Sequence, residues 1–535
     1  GVTRFQNTNR LTYTYDKNPN HRLQIDAIHE QQLVQSEGVE AEASGFFSDN
    51  TTYKNLALGE IQRTTSKASS SGTNNPVSES LQSFLGRVNY SLYDRFLFTA
   101  SLRADGSSKF AENNRWGYFP SGSVAWRMSD ESFIQSIGVI DNLKLRASYG
   151  QIGSQAIQPL ARRAIPIINT SVSYPFDGDV ANIGVAPSNR LANPDLTWET
   201  TTQGNIGLDI GFWDSRLTFS FDVYQKKTTD LLLDRVLPSY VGPTVVTQNV
   251  GEVENNGFDL SLGMTIVDND DWHVSSILSV SKNNNKVTAL VDDVELMEIG
   301  KVYANNTFPV NPTAVMLGKP ISTFRGYVFE GVYQKGEEDE AALYGKVPGQ
   351  ARYMDVNGDT LISSDDIVPV GDGNADFTWG WNWTVAWKKL DLNFIMIGSH
   401  GNDIYNFTRM KMMGLGSGQF HATHADYNNR WTEDNPSEIP SARNGTEFLS
   451  SQFVEDGSFV SMKNVTLGYN FEFPGSNFIE GLRLYVSAEN LFIITDYTGF
   501  DPESTASGNS DVDLGIDLNA IPINRSYSLG LKFLF

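Results

Sequence analysis

Cysteine is absent from this 535-residue sequence, so neither disulfide bonds nor thiolate chemistry contributes to the protein. Long hydrophobic runs are absent as well, since no apolar stretch reaches the roughly 18 residues that suggest a membrane-spanning helix. Basic residues are the minority, with 40 Lys and Arg against 63 Asp and Glu and a formal net charge of −23. That balance argues against a nucleic-acid-binding protein, which would carry a basic stripe.

Leader and catalytic motifs are also lacking. Residues 1–5 contain neither the basic segment nor the apolar core of a secretory signal peptide, so we expect the sequence to begin inside a mature protein. No Ser/His/Asp or paired-carboxylate arrangement can be assigned, and 63 acidic residues produce carboxylate pairs by chance. The sequence therefore predicts a protein that is not an enzyme.

Glycine and aromatic residues are plentiful instead. Forty-six residues are glycine and 12% are Phe, Trp or Tyr, a composition that favours a β-rich chain with many turns. Residues 84–90, 96–105 and 143–149 each alternate between two kinds of side chain. Because successive side chains of a strand point to opposite faces, each segment predicts a strand with one apolar face and one polar face.

Such alternation occurs in soluble sandwiches, where the polar face meets water, and in outer-membrane barrels, where the apolar face meets lipid. The connections distinguish the two, since the tight turn at residues 92–94 contrasts with long polar loops at 107–116 and 151–198. Short turns on one side and long loops on the other are the pattern of outer-membrane barrels. The sequence therefore predicts an all-β, transmembrane antiparallel β-barrel with long extracellular loops.

The barrel interpretation assigns a side to each alternating residue. The polar set is expected to line the barrel interior and consists of Arg87, Asn89, Arg103, Asp105, Lys144 and Arg146. The apolar set is expected to face lipid and consists of Phe96, Phe98, Leu143, Leu145, Leu529 and Phe533.

Counting the alternating segments predicts about fifteen strands. The predicted external loops are residues 34–80, 151–197, 227–251, 284–376 and 399–458. Single-chain bacterial barrels have even strand numbers, and an open sheet edge in lipid would leave backbone groups unpaired. The odd count therefore predicts that residues 1–535 form the C-terminal part of a larger barrel.

A long block of the sequence carries a family resemblance. Residues 86–131 and 143–153 resemble, without gaps, the SusC/RagA family of TonB-linked outer-membrane importers. Residues 193–199 (Asn-Pro-Asp-Leu-Thr-Trp-Glu) and the terminal strand ending at Phe535 extend the resemblance over nearly the whole chain. The resemblance implies a TonB-dependent transporter barrel of about 22 strands around a plug. It also implies that the N-terminal strands, the plug and the TonB box are absent from residues 1–535.

The resemblance further implies an active importer in the outer membrane of a Gram-negative, Bacteroidetes-like bacterium. Such importers take up oligosaccharides or peptides beneath a SusD-like surface lipoprotein, and TonB energises transport by pulling on the plug. The implied partners are therefore this lipoprotein, TonB, the N-terminal portion of the same protein, membrane lipid and the substrate. Two alternatives stay open, a conventional TonB-dependent receptor for siderophores or cobalamin and an outer-membrane adhesin or scaffold.

Residues 355–366 have the spacing of a calcium-binding loop, with oxygen ligands at positions 1, 3, 5, 9 and 12 and an apolar residue at position 8. Thr360 replaces the usual glycine at position 6, and Asp366 replaces the usual glutamate at position 12. The alternative is an Asx-rich turn without a metal. The expected ligands of a structural Ca²⁺ are Asp355, Asn357, Asp359, the carbonyl oxygen of Leu361, Ser363 and Asp366.

Three further features are weaker candidates. Trp116, Arg430 and Trp431 are candidates for substrate contact, although aromatic residues near the membrane edge more often form the interfacial girdle. His421 and His424 have the spacing of a metal pair but lie in a long loop. The glycine-rich residues 414–418 imitate a phosphate-binding loop without its strand and helix, so a flexible loop is the better interpretation.

Overall fold

Strands dominate the part of the chain that the structure, a computed structural model, describes. The described residues are 2–36, 38–47, 55–67, 77–158, 161–164, 167–169, 174–176, 179–181, 184–186, 188–237, 240, 242–243, 245–290, 294–298, 311–413, 425–441, 449–474, 478–506 and 512–535.

Fifteen strands form one sheet in which sequence neighbours lie side by side. Numbered β1 to β15 along the chain, they are Val2–Asn18, His21–Ser36, Val77–Leu92, Phe96–Ser107, Trp116–Arg127, Ile140–Ser154, Glu199–Phe212, Leu217–Thr229, Glu252–Asp268, Trp272–Ala289, Phe377–Trp387, Leu390–His400, Phe459–Glu472, Gly481–Thr495 and Ser526–Leu534. Neighbouring strands run antiparallel, as in the β1–β2 and β14–β15 pairs. The prediction of an all-β antiparallel sheet of about fifteen strands is therefore confirmed.

The chain divides into two compact units. The first comprises Gly1–Trp126, Arg146–Gly204 and Lys227–Glu252, and the second comprises Arg127–Leu145, Asn205–Lys226 and Val253–Phe535. Both units contain sheet strands together with the segments that connect them.

One face of the sheet in the first unit carries a row of interacting polar side chains. Asn89 of β3 lies opposite Thr99 of β4, and the Thr99 hydroxyl donates to the Asn89 side-chain oxygen at 3.0 Å. Arg87 Nε donates to the same oxygen at 3.1 Å, and Arg103 Nε donates to the Asp105 carboxylate at 2.7 Å. These residues of the predicted polar set therefore share one face and largely satisfy one another.

The opposite face presents large apolar side chains that no other element covers in the described residues. Phe98 is 41% exposed in the first unit, and Leu529 is 74% exposed and Phe533 47% exposed in the second. A soluble sheet buries its apolar face in a core, because exposed contiguous apolar surface is costly in water. The arrangement is instead the one expected of a lipid-facing surface.

Aromatic side chains mark both ends of this apolar face. Strand β5 begins at Trp116 and has Trp126 as its penultimate residue. Strand β11 begins at Phe377 and ends at Trp387. The two aromatic residues of each strand are therefore about ten residues apart. At about 3.4 Å per residue and a tilt of about 45°, ten residues cross roughly 24 Å of membrane. Outer-membrane barrels have an apolar band of about 25 Å between two aromatic girdles, and the strands match that dimension.

The predicted long loops contain more regular structure than their sequences suggest. Within residues 34–80, β2 reaches Ser36, β3 begins at Val77, and Gly38–Phe46 pairs with Gly59–Lys67 in a hairpin. The loop prediction is wrong for these parts. The first of these strands shows a short alternation, with Val39, Ala41 and Ala43 between polar residues, but its partner Gly59–Lys67 shows none, so the pair was not recognised as a hairpin.

The other connections hold short elements. Further short strands are Ile167–Asn169, Tyr174–Phe176, Asp179–Ala181, Gly184–Ala186, Arg190–Leu191, Leu232–Val236, Val245–Asn249, Leu296–Glu298, Thr313–Met316, Thr323–Gly326, Phe329–Val332, Ala351–Tyr353, Val368–Asp372, Asp403–Asn406, Val454–Asp456 and Ile516–Asp517. Helices α1 to α3 are Ser132–Gln135, Glu338–Leu343 and Phe407–Met413. None of the helices in the described ranges has the length and apolar character to cross a membrane.

Candidate functional site

Three connections of the second unit fold together around a buried cluster. The Tyr405 cluster consists of Phe324, Tyr405, Phe407, Met410, Met413, Leu449, Phe453 and Ile516. The ring of Tyr405 lies 4.8 Å from that of Phe407 and 5.6 Å from that of Phe324. These residues come from the β10–β11, β12–β13 and β14–β15 connections, so the cluster joins three loops into one packed body.

A buried carboxylate completes the Tyr405 cluster. Asp517 is 1% exposed and accepts hydrogen bonds from the hydroxyl of Tyr497 and, at 2.9 Å, from that of Thr408. Burial raises the pKa of Tyr497 above its ordinary value, and the bond to Asp517 raises this pKa further. The tyrosine therefore stays protonated and donates. Through Thr408, Asp517 links the β14–β15 connection to the β12–β13 connection.

Asp403 adds a less favourable charge at the start of the β12–β13 connection. It lies directly opposite Asp456, and its carboxylate accepts the main-chain N–H of Asp372 at 3.0 Å. Burial raises the pKa of Asp403 above its ordinary value, and the nearby charges of Asp372 and Asp456 raise it further. The folded loops therefore bind this proton more tightly than the unfolded chain does. Their stability is complete below the unfolded pKa and declines as pH rises through the raised folded pKa.

We expect Asp403→Asn to protect the loops at neutral pH. The amide keeps an oxygen acceptor for Asp372 and removes the charge that burial and two carboxylates oppose. The gain should fade toward about pH 4, where the wild-type carboxyl becomes protonated. Limited proteolysis of the variant and the wild type, at neutral pH and at about pH 4, measures this difference in loop protection.

Asp456 is the matched control for this substitution. Hydrogen bonds from the Ser458 side chain and backbone lower the pKa of Asp456, so its charged form is stabilised. Asp456→Asn should therefore accelerate cleavage at neutral pH. If both substitutions protected the loops equally, the opposite pKa directions assigned to Asp403 and Asp456 would be wrong.

The predicted calcium loop adopts a tight Asx-type turn. Asp355 accepts main-chain N–H groups from Gly358 at 2.7 Å and from Thr360 at 2.8 Å. Thr360 has φ +65°, so it takes the left-handed conformation that glycine usually supplies at this position, which is rare for a β-branched residue. Ile362 packs against the buried cluster of Tyr327, Ala351 and Tyr353 and anchors the loop.

The carboxylates of this loop are engaged by the chain itself. Buried Asp366 accepts the N–H of Val356 and that of Ser363, one on each oxygen and both at 2.8 Å. Both oxygens of Asp359 accept hydrogen bonds from other loop residues. Across the described ranges, no three His, Asp or Glu side chains are grouped so as to hold a metal. The donor types suit Ca²⁺, but their present arrangement is that of an Asx-rich turn, so calcium binding stays a prediction.

The three weak candidates for substrate contact lie in different surroundings. Trp431 is 9% exposed, and its Nε1 donates to the Gln334 side-chain oxygen at 3.0 Å. The carbonyl oxygen of Arg430 accepts a hydrogen bond from Asn435 at 3.0 Å. Trp116 is the first residue of β5 and stacks with Phe84 on the apolar face. The placements of both tryptophans favour structural roles, and substrate contact by any of the three residues stays a prediction.

The remaining sequence candidates cannot be placed. His421, His424 and the glycine-rich residues 414–418 lie outside the described residues.

Comparison with known proteins identifies the family. Residues 1–491 match the family model described as TonB dependent receptor-like, beta-barrel. The chain belongs to the TonB-dependent receptor β-barrel family.

Individual relatives agree with this assignment. TonB-dependent receptor P3 of Formosa agariphila is 36% identical over 538 residues, 98% of this chain and 52% of the relative. TonB-dependent receptor SusC of Bacteroides thetaiotaomicron is 33% identical over 473 residues, 85% of this chain and 44% of the relative. A solved structure of the RagAB peptide transporter matches with a TM-score of 0.81 and 25% identity over 99% of this chain and 55% of that chain.

The resemblance to the SusC/RagA family is thus confirmed, and the chain spans about half the length of the curated relatives it matches. As a TonB-dependent receptor barrel, the protein is located in the outer membrane. Its exposed apolar face is accordingly the lipid-facing one, and Trp116 occupies a girdle position on it.

Sequence reasoning missed the role of the motif at residues 193–199. In this receptor barrel, Trp198 lies 5.1 Å from Phe110 and 5.6 Å from Phe119 between ring centroids, and its Nε1 donates to the Arg115 carbonyl at 3.0 Å. The Trp198 cluster of the first unit consists of Phe110, Phe119, Ile157, Ala161, Leu196 and Trp198. The sequence did contain a signal for this buried position, because Leu196 and Trp198 are two large apolar residues, two positions apart, in an otherwise polar stretch.

Proposed function

We propose that the protein is an outer-membrane active nutrient importer of the SusC/RagA type, whose C-terminal barrel strands are residues 1–535. The likeness to the RagAB peptide transporter over 99% of the chain supports this most strongly. In addition, β1 stands at one end of the sheet order, and nearly all its side chains are exposed on both faces. A strand of that kind suits further pairing with N-terminal strands of a larger barrel.

The proposed substrates are oligosaccharides or peptides. In the second unit, a cavity of about 240 Å³ is lined by hydroxyl and carboxylate side chains that include Ser220, Asp222, Asp259 and Ser281. Such groups exchange hydrogen bonds with water for hydrogen bonds with a polar solute at little net cost. A polar wall therefore suits the passage of hydroxyl-rich or amide-rich molecules.

The proposed partner at the cell surface is a SusD-like lipoprotein. The β10–β11 connection, which is external if tight turns are periplasmic, exposes Leu343, Val347, Met354, Val356 and Leu361. Apolar side chains concentrated in one exposed segment favour a protein interface. We name these five residues the Leu343 patch and propose that they contact the lipoprotein.

Energy for transport is proposed to come from TonB acting on a plug in the N-terminal portion of the same protein. The family name supports this, since the matched barrel family is that of TonB-dependent receptors.

Gene deletion combined with affinity purification tests the proposed function. Deletion should abolish growth on a particular oligosaccharide or peptide source, loss of TonB should do the same, and the tagged protein should co-purify a surface lipoprotein. Rescue of growth by iron or cobalamin would instead indicate a siderophore or cobalamin receptor. Normal uptake with lost attachment would indicate an adhesin.

Substitutions in the chain test the lipoprotein contact directly. Leu343→Asp should reduce lipoprotein recovery about tenfold or more, because the charge is desolvated at the interface and tenfold corresponds to only about 1.4 kcal/mol. Ile521→Asp changes an even more exposed apolar residue outside the patch and should leave recovery unchanged. Equal losses in both variants would remove the patch from the proposal.

The calcium proposal rests on donor chemistry and on the turn at Thr360. We expect millimolar Ca²⁺ to slow proteolysis at residues 355–366, with an affinity of about 10⁻⁴–10⁻³ M as in extracellular modules. Binding requires Asp366 to exchange a main-chain N–H for the ion. The double variant Asp355→Ala, Asp359→Ala should lose the protection, whereas Asp365→Ala, which changes a carboxylate between ligand positions, should keep it. Equal Ca²⁺ protection of the double variant would show that the segment is only an Asx-rich turn.

A further inference from the structure

The tight turn between β7 and β8 borders a cavity of about 740 Å³ in the second unit. Trp213, Asp214 and Ser215 all have left-handed backbone conformations, with φ of 54°, 56° and 59°. Left-handed conformations normally occur in single non-glycine residues, so three in succession indicate a turn that its surroundings hold in place.

Two neighbouring segments hold the turn. Trp213 N–H donates to the Val139 carbonyl at 3.1 Å, and the Ser215 hydroxyl donates to the Asp141 carboxylate at 2.7 Å. On the other side, the Thr265 N–H of β9 donates to the Arg216 carbonyl at 2.6 Å. The cavity is therefore a built feature with walls from three chain segments.

The cavity lies at the level of the girdle beside the tight turns. Trp213 is 57% exposed in its turn. Trp272 and Trp387, which stack on each other, are 42% and 47% exposed beside the β9–β10 and β11–β12 turns. The segment after α1 exposes Ile137 and Val139 beside the same cavity. Tight turns of outer-membrane barrels face the periplasm, and Trp side chains mark the depth of the lipid headgroups. Lipid of the inner leaflet is therefore what the cavity meets.

The lining combines an apolar wall with charges of both signs. Val139, Leu217 and Ile266 supply the wall, and Asp214 and Arg216 are exposed at its edge. In the described part of the chain, neither of these two charged side chains has a hydrogen-bond or ion-pair partner of its own. A cation and a carboxylate two residues apart, beside an apolar wall, complement a headgroup that also carries one charge of each sign.

We propose that this cavity binds a zwitterionic phospholipid of the phosphatidylethanolamine type from the inner leaflet. The Arg216 guanidinium donates to the lipid phosphate, a pairing in which two parallel hydrogen bonds are common. The lipid ammonium donates to the Asp214 carboxylate, and the start of the acyl chains packs along Val139, Leu217 and Ile266. A purely anionic phospholipid is disfavoured, because the lining holds Asp141 and Asp214 against a single arginine.

Native mass spectrometry of the protein purified from outer membranes tests this. After delipidation, phosphatidylethanolamine, phosphatidylglycerol or diacylglycerol is added in detergent. We expect at least tenfold better retention of phosphatidylethanolamine than of the other two. Arg216→Gln, which keeps the side-chain length, should abolish this preference, and Asp214→Asn should shift it toward phosphatidylglycerol.

Lys388→Ala is the matched control, because Lys388 is an exposed cation in another tight turn beside a girdle tryptophan. This variant should retain phosphatidylethanolamine as the wild type does. Equal retention of the three lipids, or equal loss in Lys388→Ala and Arg216→Gln, would overturn the proposal in favour of unspecific annular lipid. Equal retention of both phospholipids, lost in Arg216→Gln, would overturn the zwitterionic assignment and leave a phosphate site. If Arg216→Ala, made as a second variant, fails to assemble, Arg216→Gln decides alone.

Discussion

Replacing Trp198 by alanine is expected to lower the free energy of unfolding by about 3–5 kcal/mol, the range measured for large aromatic residues removed from packed cores. The side chain is buried between Phe110 and Phe119, and its removal leaves a cavity in a cluster that contains the fully buried Leu196. The Arg115 carbonyl also loses its indole donor. Chemical denaturation of the protein in lipid vesicles measures the change.

Trp198→Phe separates packing from hydrogen bonding at this position. Phenylalanine keeps an aromatic ring between Phe110 and Phe119 but cannot donate to the Arg115 carbonyl. The cost should fall to about 1–3 kcal/mol, consistent with an unsatisfied acceptor and a smaller residual cavity. Equal losses from Trp198→Phe and Trp198→Ala would show that the ring contributes little and that the cluster is loosely packed.

Phe98→Arg is expected to destabilise the barrel by about 1–3 kcal/mol, because an arginine on the lipid face costs about 2–4 kcal/mol at the bilayer midplane and less toward the girdle, and Phe98 lies opposite Val124, two residues from Trp126. Phe98 lies on the exposed apolar face of β4 and stacks with Tyr90 of β3 at 6.3 Å. Folding into vesicles, followed by denaturant titration, provides the measurement.

Ser101→Arg is the control for the opposite face of the same strand. Ser101 hydrogen-bonds Ser121 at 2.7 Å on the polar face, where an added arginine reaches water, although it lies opposite the cation Arg87. Its cost should be well below that of Phe98→Arg. A larger cost at Ser101 than at Phe98 would reverse the assignment of the two faces.

Alternation was sufficient to predict the sheet because every membrane-facing strand must separate apolar from polar side chains. The register of β3 and β4 follows this rule, so Asn89 and Thr99 meet on one face while Tyr90 and Phe98 meet on the other. The strand number and the tight turns followed from the same pattern.

The loop clusters were not predictable in this way. Tyr405 and Ile516 are buried together although their segments show no regular apolar period and are separated by two sheet strands. The side chains that become buried are those that face the other two connections. Which side chains these are depends on how the barrel strands position the three connections, and not on the local sequence. The calcium motif illustrates a further limit, since its spacing was recognised but not the engagement of Asp366 by main-chain N–H groups.

The Tyr405 cluster also constrains the order in which the protein assembles. The Thr313 hydroxyl donates to Asp513 at 2.9 Å across a sequence separation of 200 residues. Ile516 follows β14 in the chain, so it joins the cluster only after β14 has been synthesised. Contacts between such distant residues form late because closing a long segment costs conformational entropy before any packing is gained. The external loops therefore remain open to proteases until the last connection is in place. Burial of Tyr405 should accordingly be among the final events of folding, reporting that the preceding strands are already paired.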